Sequence, residues 1–266
     1  MSERLAHAKI NLALVVGPVR ADGKHELTTV LQRVGLADRL HLDSVGGLNV
    51  EGFPEDTLIR RALELVANEA QVEPAWRVVV DKQIPVAAGL GGGSSDAAAT
   101  LLLANATLAR PLDPSRLSEL AAGLGADVPF FMVEGPQLGE GDGTILTRLE
   151  LSQRFTVLLL LPDGEAKAST RDVYAAFDAR NGSVGYEERR VALLSALATG
   201  DLAALPPNDL GSSPLTGRLR ELGAFHADVS GAGPTVYGLF ADGATAEAAA
   251  ARVERFGRVW VVPQAW

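Results

Sequence analysis

Residues Pro85 to Ala98 read Pro-Val-Ala-Ala-Gly-Leu-Gly-Gly-Gly-Ser-Ser-Asp-Ala-Ala, a glycine-dense segment running straight into helix formers. Gly89, Gly91, Gly92 and Gly93 can take positive φ and let a ligand approach the main chain, while Ser94 and Ser95 can cap the following helix. The unpaired N–H groups and the dipole at a helix start attract an anion, so the chemistry offered here is the holding of phosphate. A flexible linker has a similar composition. Linkers, however, are seldom followed at once by a segment such as Ala97-Ala98-Ala99-Thr100-Leu101-Leu102-Leu103. Two phosphate-loop templates are excluded: no Lys follows the glycines as G-x-x-x-x-G-K-[ST] requires, and Ser94 stands where G-x-G-x-x-G needs its last Gly.

Asp127 is the second candidate. It sits in Gly125-Ala126-Asp127-Val128-Pro129-Phe130-Phe131, among apolar residues and just before a proline. A carboxylate there needs a specific partner or task. The residues alone leave equally open that it caps a turn.

The elements that must position these groups follow from periodicity. Lys9 to Val16 reads as a strand, and Leu27 to Leu42 alternates, with a turn-like Leu36-Ala37-Asp38-Arg39. Asp56 can cap a helix from Thr57 to Ala70 whose face is Leu58, Ala62, Leu65, Val66 and Glu69. Arg77 to Val80 is a strand leading into the glycine loop, so the loop joins strand to helix. Asp113-Pro114 starts a helix carrying Leu117, Leu120, Ala121 and Leu124, ended by Gly125.

Beyond Gln153 the order is strand Phe155 to Leu161, helices near Thr170 to Ala179, Glu187 to Ala198 and Leu215 to Gly223, then a hairpin. That hairpin joins Ala227–Val229 to Thr235–Phe240 around Ser230-Gly231-Ala232-Gly233-Pro234; helix Thr245 to Phe256 and strand Arg258 to Val262 follow. This succession fits a ferredoxin-like split βαβ unit and puts a domain boundary near Leu149 to Gln153.

The 266 residues, 47% of them hydrophobic, suffice for one large or two medium domains with a substantial core. The formal net charge of −9 repels polyanions, and without a basic patch nucleic acid is not an expected partner. Zero cysteines exclude disulfides, thiolate metal sites and a cysteine nucleophile, and fit a reducing cytoplasm. His7, His25, His41 and His226 lack ligand spacing, so no metal site is expected on the protein itself. Neither an export signal nor a membrane-spanning stretch is evident, and a soluble cytoplasmic protein without membrane partners is expected.

Three segments together, Ala8-Lys9-Ile10-Asn11-Leu12, Gly89 to Ala98, and Gly125 to Phe131, resemble the GHMP small-molecule kinases. Asp22-Gly23-Lys24-His25-Glu26-Leu27 and Ser230-Gly231-Ala232-Gly233 extend the resemblance over nearly the whole chain, and point to the branch whose acceptor carries cytidine diphosphate. The resemblance implies a two-domain α/β (α+β) GHMP kinase fold: an N-terminal ribosomal-protein-S5-like domain, residues 1–151, and a C-terminal ferredoxin-like domain, residues 152–266. ATP and a sugar-alcohol substrate would meet between them.

By resemblance, Pro85, Val86, Ala87, Ala88, Gly89, Leu90, Gly91, Gly92, Gly93, Ser94 and Ser95 cradle the ATP phosphates. Asp127 takes the proton of the substrate's 2-hydroxyl, with Lys9 beside it to stabilise the developing charge. Asn11 and His25 bind the substrate, His25 at the cytosine, and Thr170 and Tyr174 join them, Tyr174 as a stacking ring. Mg²⁺ comes bound to the nucleotide; Ser94, Ser95 or Asp96 are the residues within reach of it.

Two departures stand out. Lys24 occupies a position where the family has a Tyr that stacks on cytosine, so about 1 to 3 kcal/mol of stacking is missing there. Gly139-Glu140-Gly141-Asp142-Gly143-Thr144 departs from the family's Gly-Glu ending and reads as a solvent-facing loop. A sister kinase acting on homoserine or mevalonate, and a nucleotide-binding homologue without catalysis, are the competing expectations.

Overall fold

Apolar and β-branched residues dominate the first 44 positions and build two long strands, β1 (Ser2–Val19) and β2 (His25–Ser44), which pair with each other. The computed structural model describes residues 2–53, 57–164 and 169–265. It divides into two compact units of interleaved segments. One holds Met1–Ala8, Leu36–Val86 and Gly91–Glu134; the other holds Lys9–Gly35, Ala87–Leu90 and Gly135–Trp266.

In the first unit the end of β2 pairs antiparallel with β4 (Trp76–Asp81), and β4 runs parallel to β3 (Asn49–Glu51). The turn expected at Leu36–Arg39 does not form, and β2 passes straight through it. Asp38 is fully buried, and its carboxylate accepts the N–H groups of Gln83 and Ile84 at 2.6 and 2.8 Å. A residue type that favours turns is thus retained in the strand to satisfy the segment after β4.

Helices α1 (Thr57–Ala70), α2 (Gly92–Thr107) and α3 (Pro114–Leu124) pack against one another. Asp56, the expected cap of α1, lies outside the described residues. The face that α1 buries is Ile59, Ala62, Leu63, Val66 and Ala67, so Leu58, Leu65 and Glu69 are corrected to partly exposed positions. Both sets obey helical spacing, and packing against α2 and α3 selects between them. In α3 expectation and structure agree. Asp113 accepts the N–H of Arg116 at 3.0 Å, and Leu117, Leu120, Ala121 and Leu124 are the buried residues.

In the second unit the start of β2 pairs with β5 (Gln137–Gly141), which turns back into β6 (Ile145–Arg148). The stretch Gly139–Thr144 is therefore a strand and hairpin turn rather than a solvent-facing loop; Gly139 and Gly141 are buried because they pair across β2.

A second sheet contains β7 (Thr156–Pro162), β8 (His226–Val229), β9 (Val236–Phe240) and β10 (Gly257–Val262) in the order β10-β7-β9-β8, all antiparallel. Between β7 and β8 lie α4 (Thr170–Ala179), α5 (Tyr186–Thr199) and α6 (Pro214–Glu221); α7 (Gly243–Val253) joins β9 to β10. With the first and third strands of the unit central, this is the ferredoxin-like arrangement expected from the sequence. Leu158, Leu160, Leu219, Val236, Phe240 and Val253 form its core.

Candidate active site

The glycine loop owes its shape to handedness. Ala87, Gly89 and Gly91 have φ of 57°, 80° and 69°, while the residues between them keep negative values. Alternation of this kind turns successive N–H groups toward one side and makes a concavity for anions. Ala87 does so without being glycine, a strained conformation of the sort that accumulates at ligand sites. The carbonyls are held on other business: Ala88 accepts from Thr235 N–H at 3.3 Å, Gly89 from Ser230 Oγ at 3.0 Å, and Leu90 from Lys9 N–H at 2.9 Å.

α2 starts at Gly92, capped by Gly91 with no side-chain hydrogen bond. Ser94 and Ser95 therefore lie inside its first turn, not at its cap, and the expectation that they cap it is corrected. The left-handed Gly91 already turns the chain into the helix, and the N–H of Ser95 bonds to the Gly91 carbonyl at 2.9 Å. The amides of Gly92, Gly93 and Ser94 precede this first intrahelical bond, where a helix start favours an anion.

Lys82 organises the surroundings of this loop within the first unit. Its ammonium bonds Asp38 Oδ2 at 2.5 Å and Asp96 Oδ2 at 2.6 Å, both carboxylates being fully buried. It lies 3.2 Å from where a Cβ on Gly92 would be, so it ties the strand end before the loop to the helix after it. Burial alone would lower the ammonium's pKa, but the two carboxylates outweigh it and raise the value. Asp96 thus shares the Lys82 ammonium with Asp38. Nothing in the glycine pattern foretold this role of Lys82; the sign is a charged pair, Asp81-Lys82, just ahead of a phosphate loop.

Lys9, a residue type usually exposed, is buried on β1. Residues two apart on a strand share a face, and Lys9 Nζ donates to Asn11 Oδ1 at 2.7 Å. Asn11 Nδ2 donates to Thr29 Oγ1 at 2.8 Å, and that hydroxyl donates to the Ala13 carbonyl at 2.7 Å, so the lysine is aimed by a buried relay. Opposite it stands the β8–β9 turn. A Cβ on Gly231 (φ 58°) would lie 3.2 Å from Asn11 Oδ1, 3.6 Å from Lys9 Nζ and 3.8 Å from the Gly89 carbonyl. The β8–β9 turn, the Ala87–Leu90 part of the glycine loop and the Lys9–Asn11 pair thus meet within the second unit.

Asn208 fixes that turn and was not singled out from the sequence. Buried, it donates from Nδ2 to the carbonyls of Gly231 and Val229 at 2.7 and 2.8 Å, accepts Leu210 N–H on Oδ1 at 2.8 Å, and gives its own N–H to Asp228 at 2.7 Å. Desolvation pushes the Asp228 carboxyl up to about 6, against the pull of those N–H bonds. Behind it His226 is buried at 3.1 Å from Tyr237 Oη, which donates to the Leu12 carbonyl at 3.0 Å; burial lowers His226 to about 4.

His25 forms another cluster of the second unit. Its side chain is only 10% exposed, its Nε2 lies 2.8 Å from Asp178 Oδ1, and its ring packs on Tyr174 with centroids 4.8 Å apart and on Phe177 at 5.8 Å. α4 presents these groups because Ser169 caps it, accepting from Asp172 N–H at 3.1 Å, and because Phe177 is anchored against Leu14 and Val16. Thr170 is the exposed first residue of α4. Asp127, in the first unit, lies half-buried in the turn between α3 and a single 3-10 turn at Pro129–Met132, where Phe130 and Phe131 are buried beneath it in sequence. Among the described residues no group of three or more His, Cys, Asp or Glu could hold a metal ion.

Comparison with known proteins accords with this geometry. The model of the GHMP kinases N terminal domain matches residues 57–135, and that of the GHMP kinases C terminal matches residues 213–259. The class is therefore that of the GHMP kinases, ATP-dependent enzymes acting on small molecules. The 4-diphosphocytidyl-2-C-methyl-D-erythritol kinase of Moorella thermoacetica is 38% identical over 94% of this chain and 93% of its own, and that of Pelotomaculum thermopropionicum is 38% identical over the same shares. A crystal structure of a 4-(cytidine 5'-diphospho)-2C-methyl-D-erythritol kinase superposes with a TM-score of 0.84 at 33% identity, covering 100% of both chains. The mevalonate kinase of Methanococcus jannaschii shares the fold, with a TM-score of 0.79 at 12% identity. The chain belongs to the 4-diphosphocytidyl-2-C-methyl-D-erythritol kinase family.

Proposed function

We propose that this enzyme transfers the γ-phosphoryl group of ATP to the 2-hydroxyl of 4-diphosphocytidyl-2-C-methyl-D-erythritol, giving the 2-phosphate and ADP, in non-mevalonate isoprenoid precursor synthesis. The observation that carries it is the left-handed alternation at Ala87, Gly89 and Gly91 leading into a helix start without a side-chain cap, in a chain of this family. The segment Pro85 to Ser95 cradles the triphosphate, its donors being main-chain N–H groups between Val86 and Ser94. Phosphoryl transfer asks a protein mainly for alignment and charge stabilisation, which a rigid amide cradle supplies.

Asp127 accepts the proton of the attacking hydroxyl, and Lys9, aimed by Asn11, stabilises the charge that develops. His25 and Tyr174 hold the cytosine, with Asn11 and Thr170 as further substrate contacts. Mg²⁺ enters on the nucleotide and offsets phosphate charge; the hydroxyls of Ser94 and Ser95, in the first turn of α2, are the side chains suited to approach it. In sequence terms the N-terminal domain runs over residues 1–151 and the C-terminal domain over 152–266, and the two family models match on either side of that boundary. No helix among the described residues is long and apolar enough to cross a membrane, and we place the enzyme in the cytoplasm, with ATP and the cytidine substrate as its partners.

Coupled ADP release with the cytidine substrate, homoserine and mevalonate in parallel tests this directly: turnover is expected with the first alone. Asp127→Asn should abolish turnover while ATP still binds, because the base is lost and the cradle is kept. Turnover with homoserine or mevalonate instead, or near-normal activity in the Asn variant, refutes substrate or mechanism respectively.

A further inference from the structure

Two turns of the second unit, β1–β2 and β5–β6, are bonded to each other through their side chains. Lys24 Nζ donates to Asp142 Oδ2 at 2.5 Å, and Thr144 Oγ1 donates to Asp142 Oδ1 at 2.5 Å. Lys24 ends the β1–β2 turn, and Asp142 lies in the β5–β6 turn, 118 positions away in sequence. The hydrogen bonds of Lys24 and Thr144 hold the Asp142 carboxyl down at about 2.

The β1–β2 turn is closed on itself as well: Lys24 N–H donates to Asp22 Oδ1 at 3.0 Å, and Arg20 N–H to the Lys24 carbonyl at 2.7 Å. Arg20, paired with Glu26 at 3.0 Å, lies 3.1 Å from where a Cβ on Gly141 would be, so a second cation of the turn stands beside the β5–β6 hairpin. From the far side Arg190 of α5 bonds Glu140 at 2.8 Å. The residue following Lys24 is His25, which packs on Tyr174 and bonds Asp178.

We propose that the Lys24–Asp142 pair is a positioning brace for the cytidine-binding side chains, holding the turn that precedes His25 preordered. The brace rests on the proposed assignment of His25 and Tyr174 to cytosine. Lys24 remains 62% exposed, so the pair adds little to folding stability; its effect lies in holding the backbone of His25 ready, which lowers the ordering cost of binding.

The experiment measures calorimetric affinity for cytidine diphosphate and for ATP in wild type, Lys24→Met, Asp142→Asn and the double variant, at low and high salt. Each single substitution should weaken cytidine diphosphate binding by about threefold to fivefold at low salt, the range of an exposed pair, with ATP affinity unchanged. The double variant should match either single one, because both remove the same interaction. High salt should narrow the gap between wild type and variants, since an exposed pair is screened. Additive losses, equal losses for ATP, or unchanged cytidine affinity in both single variants overturn the brace alone. Failure of the wild type to bind cytidine diphosphate overturns the brace together with the substrate assignment beneath it.

Discussion

Gly89→Ala puts the glycine loop to a severe test. At φ 80° an alanine is in the left-handed region, which costs about 1 to 2 kcal/mol. Its Cβ would also stand 2.6 Å from the Ser230 carbonyl oxygen and 2.7 Å from that of Gly233, both main-chain atoms that cannot rotate away. To relieve the contact the loop must retreat from the β8–β9 turn. It then gives up the Ser230 Oγ to Gly89 bond and the Thr235 N–H to Ala88 bond, at about 1 kcal/mol each.

The sum is about 3 to 4 kcal/mol against the arrangement that binds phosphate, so the competent population falls and the Kd for ATP rises by about 100-fold or more. Calorimetric titration with ATP and kcat/KM from coupled ADP release measure it. Gly123→Ala, within α3 at a site with no atom within 4 Å of the new Cβ, is the control expected to bind ATP normally. An ATP Kd for Gly89→Ala within about twofold of wild type would refute the assignment of the loop.

Two further outcomes are expected. Asn208→Ala deprives the Gly231 and Val229 carbonyls and the Leu210 N–H of their buried partner, and should cost about 2 to 4 kcal/mol of stability by denaturant titration, with a loss in kcat at temperatures where the variant remains folded; an unchanged denaturation midpoint would refute the role of its amide. His226 and Asp228 oppose each other in acid. The lowered His226 pKa, about 4, means stability from this residue is full above its unfolded value and lost as pH falls toward 4, about 3 kcal/mol in all. The raised Asp228 pKa, about 6, does the reverse, its cost being present above 6 and relieved by protonation below, by a similar amount of about 3 kcal/mol. His226→Gln should therefore make the enzyme gain stability, relative to wild type, on going from pH 6.5 to 4; parallel pH profiles for the two proteins would contradict the burial of a neutral histidine.

Much of the fold could be read from local signals. Asp113-Pro114 specified where α3 begins, because a cap and a proline act through neighbouring atoms alone, and the four apolar residues that follow chose its buried face. The order of strands and helices after Gln153 likewise sufficed for the ferredoxin-like sheet, since connection lengths leave few ways to pair them. Asp38 shows where such signals fail. Its type favours a turn, and only the distant Lys82, Gln83 and Ile84 keep it in a strand.

In the candidate site the sequence by itself determined the left-handed glycine turn into α2, because glycine conformational freedom and helix starts are properties of contiguous residues. It also placed Lys9 and Asn11 on one face, through the period of a strand. Tertiary structure alone decided that Lys9 is buried, that Gly231 closes on it, and that Asn208 holds Gly231 in place. It alone joined Lys24 to Asp142, across 118 positions, and so tied the β1–β2 turn to the β5–β6 turn by one ion pair. The physical reason is range: propensity and capping act over a few residues, whereas burial and charge pairing depend on which distant segments the folded backbone brings within hydrogen-bond reach.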